Sequence, residues 1–540
     1  MAKTARRHSE PPVSAAQSAA TFWRSIAFPA GLILTLFVVY LPAIRAGYIW
    51  DDDDYVYKNP LLSSPDGFQR IWSDPAASPQ YYPLVFSTFW LESRLWGLAP
   101  MGFHLVNIAL HGLASLLLWR ILRFLQIPLA WFVAGLFALH PIQVESVAWI
   151  TERKNVLCGV FYFASALCFL RFDSSGPAIR SRRQSLLYLA SLTLFVCALF
   201  SKTIACSLPA ALALIIWWKR GKLTTIDCLR LLPMFLLGLA AALMTAWFER
   251  SHVGATGAAF DLSAAQRILI AGRAIWFYVG KILWPHSLIF IYPRWVVDPR
   301  QWTGWIYPLT AAALLTCLWA FRTRLGRGPL VGCLLFAGTL VPALGFINVY
   351  PMRYSFVADH FQYLAAPAVF LLLATLVAWA SSRLSLNSSI TTTGCLAILA
   401  VLCMLTSRQC VQYKDEPTLW RATLDKDPRS WTALNNLGFF LAQSGDSDQG
   451  LDMMRRALVI NPEYAEGHSN LGAFLVSRGQ LELAMRELET AIRLDPKLSG
   501  AHSNLGAALV HAGRMDDAIK MFYEAIRLNP ANYDARFNLG

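Results

Sequence analysis

Long apolar runs separated by short polar segments dominate the first three quarters of the chain. A membrane-spanning helix needs about 20 mostly apolar residues, and about eleven runs approach that length. They cover residues 23–44, 103–122, 128–148, 155–171, 186–201, 203–218, 229–248, 303–321, 328–346, 363–382 and 390–407. The pattern predicts an all-α fold with a polytopic membrane domain over 23–407, preceded by a cytoplasmic tail over 1–22.

One further apolar segment, 266–284, differs from these runs because it carries three widely spaced basic residues. Basic residues concentrate in the cytoplasmic loops of membrane proteins. With the N-terminus in the cytoplasm, all basic clusters fall on that side only if 266–284 does not cross. We therefore expect an interfacial or re-entrant helix within a long outer loop, 249–302. A second long outer loop covers 45–102, and the C-terminal region lies outside the cytoplasm.

The last part of the chain repeats with a fixed period. The triplet Asn-Leu-Gly begins at Asn436, Asn470, Asn504 and Asn538, and prolines stand at Pro428, Pro462, Pro496 and Pro530. A 34-residue period that ends in proline is typical of tetratricopeptide helix pairs. The pattern predicts a linker over 408–428 and an α-solenoid over 429–540, with three complete repeats and the start of a fourth. Such solenoids present a concave surface that binds other chains.

Composition and charge agree with this division. Of the 540 residues, 56% are hydrophobic and 15% are charged, against about 25% charged in soluble domains. Residues 1–407 hold 32 Lys and Arg against 16 Asp and Glu, and residues 408–540 hold 15 against 17, which sum to the chain's 47 and 33. The positive excess therefore belongs to membrane loops, which argues against nucleic-acid binding. The ten cysteines form no CxxC pair, so no zinc or redox motif is indicated.

Four consecutive aspartates, Asp51 to Asp54, follow the first apolar run. Like charges in a row repel one another, so we expect at least one of them to have a raised pKa or a cationic partner. A carboxylate at the membrane surface could act as a general base, or it could bind a divalent cation such as Mg²⁺ or Mn²⁺ at Asp51 and Asp52. A solvated acidic turn is the alternative.

A second polar group occupies residues 140–155, at the outer end of the third predicted span. It contains His140, Glu145, Glu152, Arg153 and Lys154. Charge at membrane depth is costly and is usually functional. Arg153 and Lys154 could clamp a phosphate, although an ion-pair cluster at a helix end would use the same residues.

Two more polar groups fall on the same predicted face. Lys202 could contact an anionic lipid head group or extend to the interface from the end of a span. Residues 348–364 supply Arg353, Asp359, His360, Gln362 and Tyr363. Neither a glycine-rich phosphate loop nor a paired-histidine metal motif is present, which disfavours ATP-driven chemistry and zinc hydrolysis.

These segments, in this order, resemble a known family. The motifs are YYPLVFSTFWLESRLWG (81–97), GFHLVNIALHG (102–112), HPIQVESVAWITERK (140–154), FSKTIACSLP (200–209), WFYVGKILWP (276–285) and FVADHFQYLA (356–365). With the acidic pair and the tetratricopeptide tail, the chain resembles the bacterial branch of the transmembrane-and-tetratricopeptide-repeat O-mannosyltransferases. That family belongs to the C-type (GT-C) glycosyltransferases, which use polyprenyl-phosphate sugars as donors.

The resemblance implies a function for individual residues. Asp51 and Asp52 match the acidic pair, one of which would remove the proton from a Ser or Thr hydroxyl during an inverting transfer of a hexose, mannose in the family. The run of four leaves Asp53 or Asp54 as alternatives. Donor phosphate would be bound by Arg153, Lys202 and Arg353. Supporting polar residues are His140, Glu145, Asp359, His360 and Tyr363.

The resemblance also implies partners and a location. The repeats would recruit an acceptor polypeptide, and the 266–284 helix would help to form a lipid-binding groove. We expect a multi-pass protein of the bacterial inner membrane, with the site and the repeats facing the periplasm. Two alternatives remain open: a membrane-anchored tetratricopeptide scaffold for cell-envelope assembly, and a transferase that acts on a lipid or a glycan.

Overall fold

A computed structural model describes residues 15–174, 181–529 and 532–540, and within these ranges the chain is helical with no strand. Most of the expected tail over 1–22 lies outside the described residues. The helices of ten residues or more are α1 Ala15–Val39, α2 Pro83–Trp96, α3 Pro100–Phe124, α4 Ala130–Leu139, α5 Arg153–Asp173, α6 Arg182–Ser201, α7 Leu208–Arg220, α8 Thr225–Phe248, α9 Ala264–Leu283, α10 Trp302–Ala320, α11 Gly328–Leu340, α12 Ala366–Arg383, α13 Ser388–Val411, α14 Glu416–Lys426, α15 Trp431–Gln443, α16 Ser447–Ile460, α17 Ala465–Ser477, α18 Leu481–Leu494, α19 Ser499–His511 and α20 Met515–Leu528. The all-α prediction is confirmed.

Seven helices in the described ranges are long and apolar enough to cross a membrane. They are α3, α5, α6, α8, α10, α12 and α13, and a bent pair that begins with α4 would be an eighth. Two further predicted spans are shorter apolar helices, Ile26–Val39 and Gly328–Ala343. The run predicted over 203–218 contains α7, which has 13 residues. Length and composition thus support seven or eight of the eleven predicted spans.

The third predicted span, 128–148, is broken in the middle. Helix α4 ends at Leu139, and the chain turns by 52° into Pro141–Ala148. Pro141 disfavours helical geometry at the residue before it, and His140 is accordingly extended, with φ −82° and ψ 131°. The His140 side chain then accepts a hydrogen bond from the Ile142 N–H at 3.2 Å, which begins the next turn.

Helix α9 covers the segment that the charge pattern excludes from the spans. It begins with a capping box formed by Ser263 and Gln266. Its buried side chains, among them Ile270, Ala274 and Tyr278, recur every four residues on one face. The helix is not among those apolar enough to cross a membrane within the described ranges, and its interfacial position stays a prediction.

The chain divides into two compact units. The first consists of Met1–Pro285, Asp298–Tyr350 and Asp359–Val411, and the second consists of His286–Val297, Pro351–Ala358 and Gln412–Gly540. The second unit therefore contains the repeats and two short segments from earlier in the chain. The predicted linker over 408–428 includes the end of α13 and the whole of α14.

Helix α14 is packed within the second unit. Its Trp420 is buried, and the ring centroid lies 5.7 Å from that of Phe290.

The repeats pack as helix pairs around the recurring Asn-Leu-Gly triplet. A Cβ atom at Gly472 would lie 2.5 Å from Leu488 on the second helix of that repeat, and one at Gly506 would lie 2.6 Å from Phe522. Only glycine allows the two helices of a pair to approach this closely. The tetratricopeptide prediction is confirmed by these pairs, α15–α16, α17–α18 and α19–α20.

Candidate functional site

Asp52 is buried and locked by hydrogen bonds. Its Oδ1 accepts from the Thr151 N–H at 2.8 Å and from the Thr151 hydroxyl at 2.7 Å, and its Oδ2 accepts from the Ile49 N–H at 3.0 Å. Burial raises the pKa of Asp52 to about 7, although these hydrogen bonds lower it. Since both oxygens are occupied, Asp52 fixes the loop after α1 against the turn that precedes α5.

Asp51 is partly exposed, and its carboxylate accepts no hydrogen bond from the part of the chain that the structure describes. Burial raises the pKa of Asp51 to about 7. Lys154 lowers this pKa, and Asp54, Asp52 and Glu152 raise it. A carboxylate that is unoccupied and titrates near neutral pH can accept a proton from a substrate hydroxyl.

The other two aspartates of the run differ from Asp51. Asp53 forms an ion pair with Lys58 at 2.7 Å. Asp54 is exposed. Burial raises the pKa of Asp54, and the nearby Asp53 raises it further. Asp51 and Asp54 thus have different cationic neighbours, which are Lys154 for Asp51 and Lys58 for Asp54.

Two lysines share a single carboxylate next to Asp51. Lys154 Nζ lies 3.0 Å from Glu152 Oε1, and Lys202 Nζ lies 3.1 Å from Glu152 Oε2. Asn155 also donates to Glu152 Oε2 at 2.7 Å. The lysine side chains keep 10% and 14% of their surface exposed. The two ammonium groups outnumber the Glu152 carboxylate that they share, and such groups can bind an anionic ligand such as a phosphate.

Glu145 and His360 join this group from the other side. His360 Nδ1 lies 2.8 Å from Glu145 Oε1, and its Nε2 lies 3.8 Å from Glu152 Oε1. Burial lowers the pKa of His360 to about 3 although Glu152 raises it, so the ring is neutral near pH 7. Asp359 is buried beside this histidine, and Asn155 donates to the His360 carbonyl at 2.9 Å. The structure therefore brings Glu145, Asp359 and His360 to the lysine cluster.

Arg153 is directed away from this cluster. Its guanidinium forms a bidentate salt bridge with the Glu92 carboxylate, in which Nη1 donates to Oε1 and Nη2 donates to Oε2 at 3.1 Å. It also donates to Asn107, to the Thr88 hydroxyl at 3.1 Å and to the Phe103 carbonyl at 3.0 Å. These bonds use all five N–H donors of an arginine. The expectation that Arg153 binds the donor phosphate is revised for this reason.

Two other predicted site residues make structural contacts. His140 Nε2 donates to the Ile282 carbonyl at 3.0 Å, because its Nδ1 already accepts from Ile142. The Tyr363 hydroxyl lies 2.8 Å from His111 Nδ1. Both side chains are buried among the helices of the first unit.

Arg353 belongs to the second unit, unlike the lysine cluster. Its guanidinium pairs with Glu466 of α17, with Nη1–Oε1 and Nη2–Oε2 distances of 3.0 Å each. The predicted phosphate contact is thus replaced by an ion pair within the repeat unit.

A polar chain that sequence reasoning missed runs beside Lys154. The Tyr55 ring lies 5.3 Å from Lys154 Nζ, and its hydroxyl donates to Gln80 at 2.8 Å. Gln80 donates to Glu249 at 3.1 Å, and Glu249 accepts from the Tyr350 N–H at 3.0 Å. These residues are isolated polar positions in four separate segments, and no motif links them.

A large apolar cavity lies within the first unit. Its volume is about 680 Å³, and it is lined along α7 from Leu208 to Trp218 and beside α12 from Leu364 to Trp379. Lys202 precedes α7 by six residues, and His360 precedes Leu364 by four. Two of the lining segments therefore follow residues of the polar cluster closely along the chain.

The carboxylates do not form a cation site. In the described ranges no three His, Cys, Asp or Glu side chains are grouped so that they could hold a metal ion. Both Asp52 oxygens already accept from N–H and O–H donors. The donor set therefore does not fit a divalent cation held jointly by Asp51 and Asp52.

Parts of the chain are similar in sequence to known protein families. Models described as "TPR repeat" and "Tetratricopeptide repeat" match residues 474–511 and 499–532. Among curated proteins, Protein O-mannosyl-transferase Tmtc2 of Drosophila melanogaster is 34% identical over 25% of this chain and 16% of its own length. Protein O-mannosyl-transferase F38B6.6 of Caenorhabditis elegans is 27% identical over 26% of this chain and 22% of its own. The matches thus span about a fifth of these relatives.

The solved structures of MamA and YrrB match about a third of the chain at low sequence identity. The crystal structure of MamA is 20% identical, with a TM-score of 0.20, over 30% of this chain and 88% of that one. YrrB, titled a TPR protein with an unusual peptide-binding site, is 20% identical with a TM-score of 0.21 over 33% and 88%. The chain is therefore similar in sequence to protein O-mannosyl-transferases and contains tetratricopeptide repeats.

Proposed function

We propose that this protein is a membrane glycosyltransferase that transfers a hexose from a polyprenyl-phosphate donor to a Ser or Thr hydroxyl of a protein. The unoccupied Asp51 carboxylate beside the Lys154–Glu152–Lys202 cluster carries the proposal, because it joins a base to an anion site. The similarity to O-mannosyl-transferases supports mannose as the hexose. The predicted cytoplasmic location of the basic loops favours a site on the opposite side of the membrane, which we propose is the periplasmic face of a bacterial inner membrane.

Asp51 and the two lysines have different roles in the proposed reaction. Asp51 accepts the proton of the acceptor hydroxyl, whose oxygen attacks the anomeric carbon of the sugar. The bond from that carbon to the phosphate oxygen breaks, the electron pair stays on the phosphate, and the anomeric configuration inverts. The leaving phosphate gains one negative charge, which Lys154 and Lys202 stabilise.

The surrounding groups hold this arrangement in place. Asp52, anchored on Thr151, keeps Asp51 at the surface of the loop. Glu152 holds both lysines at about 3 Å and keeps them from moving apart. The apolar cavity of about 680 Å³ accommodates part of the polyprenyl chain, which would otherwise stay in the bilayer.

A transfer assay with purified protein tests the proposal. The protein in lipid nanodiscs is mixed with polyprenyl-phosphate mannose and a Ser/Thr peptide, and mass spectrometry measures addition of one hexose. We expect K154M and K202M each to raise the donor KM by about tenfold or more, since a charge-assisted contact contributes about 1.5–3 kcal/mol. The exposed Lys222→Met is the matched control and should leave KM unchanged.

Other outcomes would contradict parts of the proposal. Hexose found on a lipid or a glycan, and not on the peptide, would show that the acceptor is wrong. Absence of transfer from every polyprenyl-phosphate hexose, with envelope proteins retained by the repeats, would favour the scaffold alternative.

A further inference from the structure

Three basic residues lie next to one end of the large apolar cavity in the first unit. Lys219, in the last turn of α7, follows Trp218, which lines the cavity. Arg327 directly precedes the lining residues at the start of α11. Arg383 is the last residue of α12, one turn after the lining residue Trp379. All three residues belong to basic clusters that the charge pattern assigns to the cytoplasm, so this end of the cavity is predicted to face that side.

These three cations make no ion pair with a carboxylate in the part of the chain that the structure describes. Lys219 Nζ donates to the Leu125 carbonyl at 2.6 Å, which leaves two of its three N–H donors. The neighbouring Arg220 instead pairs with Asp173 at 2.5 Å and with Asp227 at 2.9 Å. Since Arg220 occupies these carboxylates, an anion for the other three cations would come from outside the described chain.

Each of the three cations lies over a tryptophan ring. The distances from the charged group to the ring centroid are 4.2 Å for Lys219 and Trp218, 5.6 Å for Arg327 and Trp217, and 5.8 Å for Arg383 and Trp379. A cation is attracted to the face of a tryptophan ring, and tryptophans concentrate at the level of the lipid head groups. This end of the cavity therefore lies where a lipid phosphate would meet the cations.

The cavity opens to the surface at the same end. Leu325, Leu376 and Trp379 line it and are 60%, 58% and 57% exposed. An acyl chain of the surrounding leaflet can therefore enter between α7, α11 and α12. Inside, it fills space in which the lining side chains would otherwise lack contacts.

We propose that this end of the cavity binds an anionic phospholipid of the cytoplasmic leaflet. Its phosphate contacts Lys219, Arg327 and Arg383, and one acyl chain enters the cavity. The positive charge favours an anionic lipid over a zwitterionic one, as in other basic pockets between membrane helices. The Trp218 indole N–H makes no hydrogen bond within the described ranges and is a further donor at this position.

This lipid differs from the donor of the proposed function in its head group and in the side from which it enters. Its chain takes the end of the cavity near Trp218, and the part near Leu208 and Leu364 is left for the polyprenyl chain. The inference does not rest on the proposed function, because neither the acidic run nor hexose transfer takes part in it.

Lipid binding to the full-length protein tests this proposal. The protein in a non-ionic detergent is titrated with dioleoyl phosphatidylglycerol, and native mass spectrometry gives the Kd of the first bound lipid. We expect K219M and R327M each to weaken binding about fivefold, and K219M/R327M about 25-fold, since each basic residue near an anionic lipid contributes separately. The matched control R182M/R183M removes two exposed cations that adjoin no lining residue, and it should leave Kd within about twofold.

The lipid itself supplies a second test that does not depend on the folding of a variant. Dioleoyl phosphatidylcholine should bind at least about tenfold more weakly, because its head group has no net charge. Dihexanoyl phosphatidylglycerol should also bind at least about tenfold more weakly, because its chains bury fewer methylene groups.

Equal Kd values for phosphatidylglycerol and phosphatidylcholine would overturn the proposal, and so would equal losses in K219M/R327M and R182M/R183M. Soluble glycerol phosphate that binds as tightly as the lipid would show a phosphate site without a lipid chain and would also overturn it. Selective lipid binding through Lys219 and Arg327 in a protein that transfers no hexose would support the proposal and refute the proposed function.

Discussion

Replacing Arg153 with Met should destabilise the first unit and leave the donor site intact. The Arg153 side chain is fully buried, that of Glu92 is 6% exposed, and the guanidinium uses its donors on Glu92, Asn107, Thr88 and Phe103. Removing the arginine leaves the Glu92 carboxylate buried without its cation. Burial already raises the pKa of Glu92, so its charged form depends on the pair.

The expected cost is about 3–5 kcal/mol, the usual penalty for breaking a buried ion pair from one side. Since folded domains are stable by about 5–15 kcal/mol, this loss is large. Replacing both partners, in E92M/R153M, should recover most of it because no uncompensated charge remains. The exposed Arg94→Met on the same helix as Glu92 is the control and should cost less than about 0.5 kcal/mol.

Equilibrium unfolding in mixed detergent, followed by tryptophan fluorescence, measures these differences. Donor KM is measured in parallel at a temperature where R153M stays folded, and we expect it to be unchanged. An R153M protein with wild-type stability and a donor KM raised tenfold would refute the reasoning. It would show that Arg153 contacts the phosphate, as the sequence suggested.

Four further predictions concern the site and the residues around it. The acidic limb of the pH profile of kcat/KM should fall near pH 7, because transfer requires deprotonated Asp51, whose pKa is about 7; a limb below pH 5 would contradict this. The raised pKa of Asp51 also stabilises the folded protein at low pH, and this contribution is lost as pH rises through 7. The unfolding temperature of Asp51→Asn should therefore depend less on pH than that of the wild type. Thr151→Val removes the 2.7 Å hydrogen bond to Asp52 and should lower kcat about tenfold with an unchanged donor KM; an unchanged kcat would show that this bond does not position the loop. Ala211→Trp fills the cavity and should raise the KM for long-chain donors but not for short-chain ones. The control Leu239→Trp, on an exposed surface, should change neither KM. Equal effects of Ala211→Trp on the KM of long-chain and short-chain donors would exclude the cavity as the lipid site.

The periodic features of the fold could be predicted from the sequence, and the reason is physical. An apolar run of span length must be buried in lipid or protein, and a 34-residue period specifies one helix pair per repeat. The break in the third span was missed because its run is apolar on both sides of His140. Its cause, Pro141, is visible in the sequence, but a prediction from hydropathy alone does not take account of proline.

Side-chain partners in the site could not be predicted, because neighbouring residues on a helix point about 100° apart. Arg153 contacts Glu92, whereas Lys154 contacts Glu152 and lies over Tyr55. Both are cations in one motif, and Glu92 lies about sixty residues away along the chain. For the same reason, the sequence does not predict that Asp51 and Asp52 make different contacts. The partner of Asp52, Thr151, is 99 residues distant along the chain.

The rate of hexose transfer by Asp51→Asn, compared with Asp54→Asn, tests the central claim most directly. Both replacements keep the shape of the side chain and remove one negative charge from the same acidic run. General-base catalysis contributes about 10²–10⁴-fold, so Asp51→Asn should lower kcat by that factor with donor KM unchanged, and Asp54→Asn should stay within about threefold of wild type. An Asp51→Asn protein with a near wild-type kcat would contradict the account.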